Sequence, residues 1–131
     1  GDSKNPDSAV DAYSLGTVNQ EMNITKGDTM TIHCSALTDK FPDDLKWYKT
    51  TQLLATDGRV AIKETKAAQS HSSQLNIADV SKSDKGEYTC EGTMKNGLTI
   101  KNYYHVNVNA SAVISVSVIL QLSIILLSYF M

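Results

Sequence analysis

The last thirty residues, Asn102 to Met131, contain no aspartate, glutamate, lysine or arginine. Lys101 is the final charged side chain. This absence divides the 131-residue chain into a charged, polar part and a greasy tail. A basic excess is also missing. Twelve Lys and Arg stand against fourteen Asp and Glu, a net charge of −2. No field of that kind neutralises phosphates, so nucleic acid is excluded as a partner. There is no G-x-S-x-G, no P-loop and no H-E-x-x-H, and the three histidines, His33, His71 and His105, lie far apart. No enzyme, no metal site and no cofactor is expected. Asp39, Asp43 and Asp44 read as a solvated acidic loop rather than a Ca²⁺ site. Before the tail no segment carries a convincing helical period, which argues against amphipathic helices. The length suits one domain.

What is present is a series of short alternating runs. Thr29 to Ala36 places Met30, Ile32, Cys34 and Ala36 on one face and polar residues on the other. That is the period of a half-buried strand. Leu45–Lys49, Arg59–Lys63, Gln74–Ala78, Glu87–Glu91 and Asn102–Val108 repeat the pattern, separated by turn residues. Asn96-Gly97 suits a type I′ hairpin turn, whose two central residues need positive φ. Several such strands predict an all-β antiparallel sandwich.

Two cysteines, Cys34 and Cys90, both fall on inward faces. A bridge between them would join two sheets through the core, closing a loop of about 57 residues and contributing roughly 4 kcal/mol in the chain-entropy model. Trp47 follows Cys34 by thirteen positions, and Asp84-Lys85-Gly86-Glu87-Tyr88-Thr89-Cys90 forms the pattern D-x-G-x-Y-x-C. The Tyr two residues before the second Cys is the tyrosine-corner position. With these motifs, residues 15 to 108 resemble the immunoglobulin superfamily, of the intermediate set. The resemblance implies a Greek-key sandwich in which Trp47, Asp84, Gly86 and Tyr88 are fold residues and Arg59 pairs with Asp84. The Trp47-Tyr48-Lys49 run adds a narrower resemblance to the membrane-proximal domain of basigin and neuroplastin. These residues are structural, and fold alone does not supply function.

The expected organisation is a flexible lead over 1–14, the immunoglobulin-like domain over 15–109 and a hydrophobic membrane segment over 110–131. The chain begins at Gly1 without a charged, apolar leader, so a secretory signal is expected to have been removed. Two N-x-[ST] sequons, at Asn23 and Asn109, agree with an oxidising extracellular setting. Ala112 to Met131 spans about 30 Å as a helix, the thickness of a bilayer core. Two readings of this tail stand. As a glycosylphosphatidylinositol attachment signal, it offers the small residues Asn109, Ala110 and Ser111 for cleavage and carries no basic flank behind the apolar run. As a retained single-span helix, it puts Ser117, Gln121 and Ser128 on one face, within about 40° of each other, where they can hydrogen-bond a partner helix. Basigin and neuroplastin carry an acidic residue in the membrane and escort channels, pumps or transporters, whereas this chain has Gln121.

The remaining surface is a binding surface. Alternation turns Lys46, Tyr48, Thr89, Glu91, Tyr103 and His105 outward. Tyr48, Glu91, Tyr103 and His105 are the candidate protein-contacting residues, and the tip Met94–Leu98 is a second candidate. The expected function is recognition or adhesion at the cell surface, with a protein partner, a second copy of the chain included, and membrane attachment through the tail.

Overall fold

The computed structural model describes residues 15–110 and 126–129. The leader 1–14, Ser111, Ser117 and Gln121 lie outside the described residues. Residues 126–129 are helical and exposed. Among the described residues no helix is long and apolar enough to cross a membrane.

Among the described residues, eight strands build two sheets. They are β1 (Asn19–Thr25), β2 (Met30–Leu37), β3 (Lys46–Lys49), β4 (Gln52–Leu53), β5 (Val60–Lys66), β6 (Ser70–Ile77), β7 (Gly86–Thr93) and β8 (Thr99–Asn109). One sheet has the order β1-β8-β7-β3-β4 and the other β2-β6-β5. The all-β sandwich expected from the alternation is the observed architecture. Every pair is antiparallel except β1 with β8.

The core forms where the inward faces meet. Met30, Ile32, Cys34 and Ala36 of β2 are buried, as are Trp47, Leu75, Ile77, Tyr88, Cys90, Tyr104 and Val106. Cys34 and Cys90 are bonded, with Cα atoms 6.5 Å apart, so the bridge pins β2 to β7 across the two sheets. Trp47 lies 6.0 Å from Tyr104, ring centre to ring centre. Its indole N–H donates to Ser73 Oγ at 2.8 Å, and that hydroxyl donates to Glu64 Oε1 at 2.8 Å. The buried donor is thereby satisfied, and the chain of bonds ends at a carboxylate on the exposed edge strand β5. Gly92 is buried on the inward side of β7. A Cβ there would stand 2.5 Å from Leu15 and 2.9 Å from Phe41, so this position has room only for hydrogen.

Several expectations are corrected. The first strand, β1, had no counterpart in the alternating runs. The Asn96-Gly97 turn is not type I′, because Asn96 does not have positive φ. Instead Met94 O accepts from Gly97 N at 2.9 Å, and Gly97 alone takes φ +87. That is a three-residue loop closed by a glycine in the left-handed region. Strand β6 begins at Ser70 rather than Gln74, and β8 begins at Thr99 rather than Asn102. Thr50 connects β3 to β4 at φ +57, an unusual conformation for a β-branched residue. Its N–H bonds Glu87 O at 2.8 Å, which holds the turn against β7.

Candidate functional site

The tyrosine corner fixes the lower end of the five-stranded sheet. A short 3-10 turn, Lys82–Asp84, leads into β7. Tyr88 Oη donates to Asp84 O at 2.5 Å. Arg59 reaches both Asp84 oxygens, at 3.1 and 3.2 Å, and Ser81 N donates to the same carboxylate at 2.8 Å. Burial opposes ionisation of Asp84, but the Arg59 and Ser81 hydrogen bonds outweigh it and hold its pKa below the ordinary value. Burial, with the Asp84 charge nearby, pushes the Tyr88 phenol up to about 12. Gly86, of the same motif, has φ +146, with Lys49 Cε 3.3 Å from where a Cβ would stand. These residues do structural work.

The outward side of the five-stranded sheet is different. The registers align one row of side chains across all five strands. Leu53 of β4 is opposite Tyr48 of β3, Tyr48 opposite Thr89 of β7, Thr89 opposite Tyr103 of β8, and Tyr103 opposite Asn19 of β1. Directly opposed residues share a face. Leu53 is 64% exposed and Tyr103 37%, and Tyr48 is half-buried. Thr89 lies on the outward face, as the alternation implies, yet it is buried there, a short side chain between two tyrosine neighbours.

Charged rows flank this central row. On one side run Lys46, Glu91 and Lys101, with Lys101 Nζ 3.8 Å from Glu91. On the other run Glu87, His105 and Glu21. His105 Nδ1 lies 3.7 Å from Glu87, and its Nε2 bonds Asn19 Oδ1 at 2.7 Å. Glu91 and His105 are half-buried and paired within the face, so they frame the apolar row more than they extend it. Leu53 was missed by alternation, because its place in the row depends on the β3–β4 register. At the hairpin tip, Leu98 is 56% exposed, and its N–H is held by Asn96 Oδ1 at 3.0 Å.

The opposite sheet contrasts with this. Its outward residues include Thr31, His33, Ser35, Ser72, Gln74, Asn76 and Lys63. Among the described residues of the sandwich, the large exposed hydrophobic side chains are Leu53, Leu98 and Tyr103, all in the five-stranded sheet or its hairpin. No group of three His, Cys, Asp or Glu among the described residues could hold a metal ion. The arrangement offers contact area and hydrogen bonds.

Residues 16–93 match the model of the immunoglobulin domain. The chain belongs to the immunoglobulin domain family. Muscle M-line assembly protein unc-89 of Caenorhabditis elegans is 33% identical over 72 residues. That match covers 55% of this chain and 1% of the relative, so this immunoglobulin domain spans a very small part of that protein. Among solved structures, a chain of the complex of Dpr2 Ig1-Ig2 with DIP-Theta Ig1-Ig3 superposes with a TM-score of 0.59 at 16% identity, covering 70% of this chain and 30% of that one. The Ig1 domain of mouse SynCAM 2 gives a TM-score of 0.53 at 23% identity, covering 70% and 92%. Such likeness shows the shared sandwich.

Proposed function

We propose that this immunoglobulin domain is the recognition unit of a membrane-tethered cell-surface protein, binding another protein through the outer face of the five-stranded sheet. The observation that carries this is the Leu53–Tyr48–Thr89–Tyr103 row, with the large exposed hydrophobic side chains among the described residues of the sandwich confined to that sheet and its hairpin. Tyrosine rings give large contact area at little entropic cost, and an apolar centre with a polar rim is the usual anatomy of an interface. One structural neighbour is solved as a complex between two chains built of such domains, which supports the reading. The muscle relative offers a contrasting one, a module of an assembly protein. The Cys34–Cys90 bond favours an oxidising compartment instead.

The tether is the charge-free tail, read as a glycosylphosphatidylinositol signal cleaved near Asn109, Ala110 or Ser111. The Ser117–Gln121–Ser128 stripe supports a second reading, an accessory subunit packed against a channel, pump or transporter. Of that stripe only Ser128 is among the described residues. Phosphatidylinositol-specific phospholipase C decides between them. Release of the protein from cells, with residues 112–131 absent from the mature mass, is expected. A chain that stays on the membrane with those residues intact overturns the lipid anchor. For the face, Tyr48→Ala with Tyr103→Ala is expected to abolish staining of intact cells by a fluorescent multimer of the protein. Unchanged staining refutes the assignment.

A further inference from the structure

The sandwich protects its strand edges unequally. A strand edge presents unpaired N–H and C=O groups that invite another chain to pair, and proteins blunt such edges by shortness, charge or covering. On one side lie β4, only two residues long, and β5, which carries Lys63, Glu64 and Lys66. On the other side lie β1, seven residues with Glu21 as its one charge, and β2, eight residues without an acidic or a lysine or arginine side chain. These two long edges flank a cleft of about 240 Å³ lined by Val18, Gln20, Met22, Thr31, Ile32 and Tyr104, among others. Among the described residues nothing pairs with the free edge of β1.

The sequon Asn23-Ile24-Thr25 lies on this weakly protected edge. Asn23 is exposed, and its register partner Asn107 places it on the outer face of the sheet. Its carboxamide makes no hydrogen bond to the described residues. It lies two positions beyond Glu21 and four beyond Asn19, so it sits about 13 Å along the strand from the tyrosine row.

We propose that Asn23 carries an N-linked glycan that caps the edge of β1, keeping the domain monomeric while leaving the tyrosine row uncovered. The modification rests on the extracellular reading above. The donor is a polyprenyl-diphosphate-linked oligosaccharide. Asn23 Nδ2 forms the bond to the anomeric carbon, the carbon–oxygen bond to the diphosphate breaks with its electron pair leaving on the lipid diphosphate, and one Nδ2 proton is released. No redox change occurs. A branched glycan beside a flat edge prevents a second strand from approaching, the role that an edge lysine or proline fills elsewhere.

The full chain, expressed on eukaryotic cells and extracted in mild detergent, tests this, with all forms in an Asn109→Gln background. Peptide mapping with and without peptide-N-glycosidase is expected to find glycan on Asn23 and none after Asn23→Gln or Thr25→Ala. By sedimentation, both variants are expected to self-associate at about tenfold lower concentration than the parent, a difference of about 1.4 kcal/mol. Asn23→Lys, which lacks the glycan but places a charge on the edge, is expected to stay monomeric. Bare Asn23 in the parent, an Asn23→Gln form as monomeric as the parent, or an Asn23→Lys form that associates like Asn23→Gln each overturns the proposal. Thiol labelling separates the two readings. A formed Cys34–Cys90 bond with a bare Asn23 refutes the glycan and leaves the surface reading standing, and free thiols refute both.

Discussion

Ser73→Ala is the sharpest probe of how this core is assembled. Ser73 is fully buried, and its hydroxyl is the partner of Trp47 Nε1–H at 2.8 Å, itself in a side chain almost wholly buried. The same hydroxyl donates to Glu64 at 2.8 Å. Removing one oxygen creates almost no cavity, so the lost transfer energy is small. The cost lies in the stranded indole N–H, about 1–3 kcal/mol for a buried donor left without a partner. Against a net stability of about 5–15 kcal/mol this is a sizeable fraction. Urea unfolding followed by far-UV circular dichroism measures it. Ser73→Ala is expected to lower the midpoint without changing the slope. Trp47→Phe removes the donor, so the double variant should cost less than the sum of the two single changes, with a coupling of about 0.5–3 kcal/mol. A loss below about 0.5 kcal/mol for Ser73→Ala, or additive changes, refutes the claim that this hydrogen bond satisfies the core tryptophan.

Three further outcomes follow from local geometry. Tyr88, with its phenol raised to about 12, favours the neutral form in the folded state, so its contribution is complete below the ordinary tyrosine value of 10.0 and is lost as pH rises through about 12. Unfolding midpoints across that window are expected to fall, and to fall less in Tyr88→Phe. Gly92→Ala pushes a methyl against Leu15, Phe41 and Leu45, and thermal unfolding should report a loss of about 1–3 kcal/mol. Thr50→Gly relieves a β-branched residue at φ +57, and chemical denaturation should show a stability gain of up to about 1 kcal/mol, partly offset by the entropy of glycine in the unfolded chain.

The strands legible in the sequence are those whose inward faces are apolar. β2 shows this best, since every second residue from Met30 to Ala36 is apolar and each is buried. β1 escaped because its inward residues begin with Gln20, and because its stability comes from parallel pairing with β8, far away in the chain. The first half of β6 escaped for a related reason. Its inward residues are His71 and Ser73, polar groups made tolerable by partners elsewhere, Phe41 O at 2.7 Å for one and Trp47 for the other. Asn102 is the same case on β8. It is buried, and its Oδ1 receives Gly16 N at 2.6 Å, tying the entry of the chain onto the sheet above the disulfide. Local alternation cannot signal such residues, because long-range hydrogen bonds offset the cost of burying them.

The candidate face was partly legible. Tyr48, Glu91, Tyr103 and His105 follow from alternation on strands read correctly. Which of them stand open and which are paired depends on register. Glu91 meets Lys101 and His105 meets Glu87 because strands β7 and β8 align in one particular way, which also sets Thr89 opposite Tyr103, while the β3–β4 register brings Leu53 into line with Tyr48.

Binding of the multimerised protein to intact cells, compared across the two faces of the sandwich, tests the central claim most directly. Tyr48→Ala with Tyr103→Ala and Leu53→Ala on the five-stranded sheet is set beside His33→Ala with Lys63→Ala and Gln74→Ala on the other sheet, each first shown to unfold at the parent's midpoint. The recognition account predicts that the first set loses about 2 kcal/mol or more, roughly thirtyfold in affinity, and that the second binds as the parent does. Equal binding by the first set, or a loss confined to the second, contradicts it.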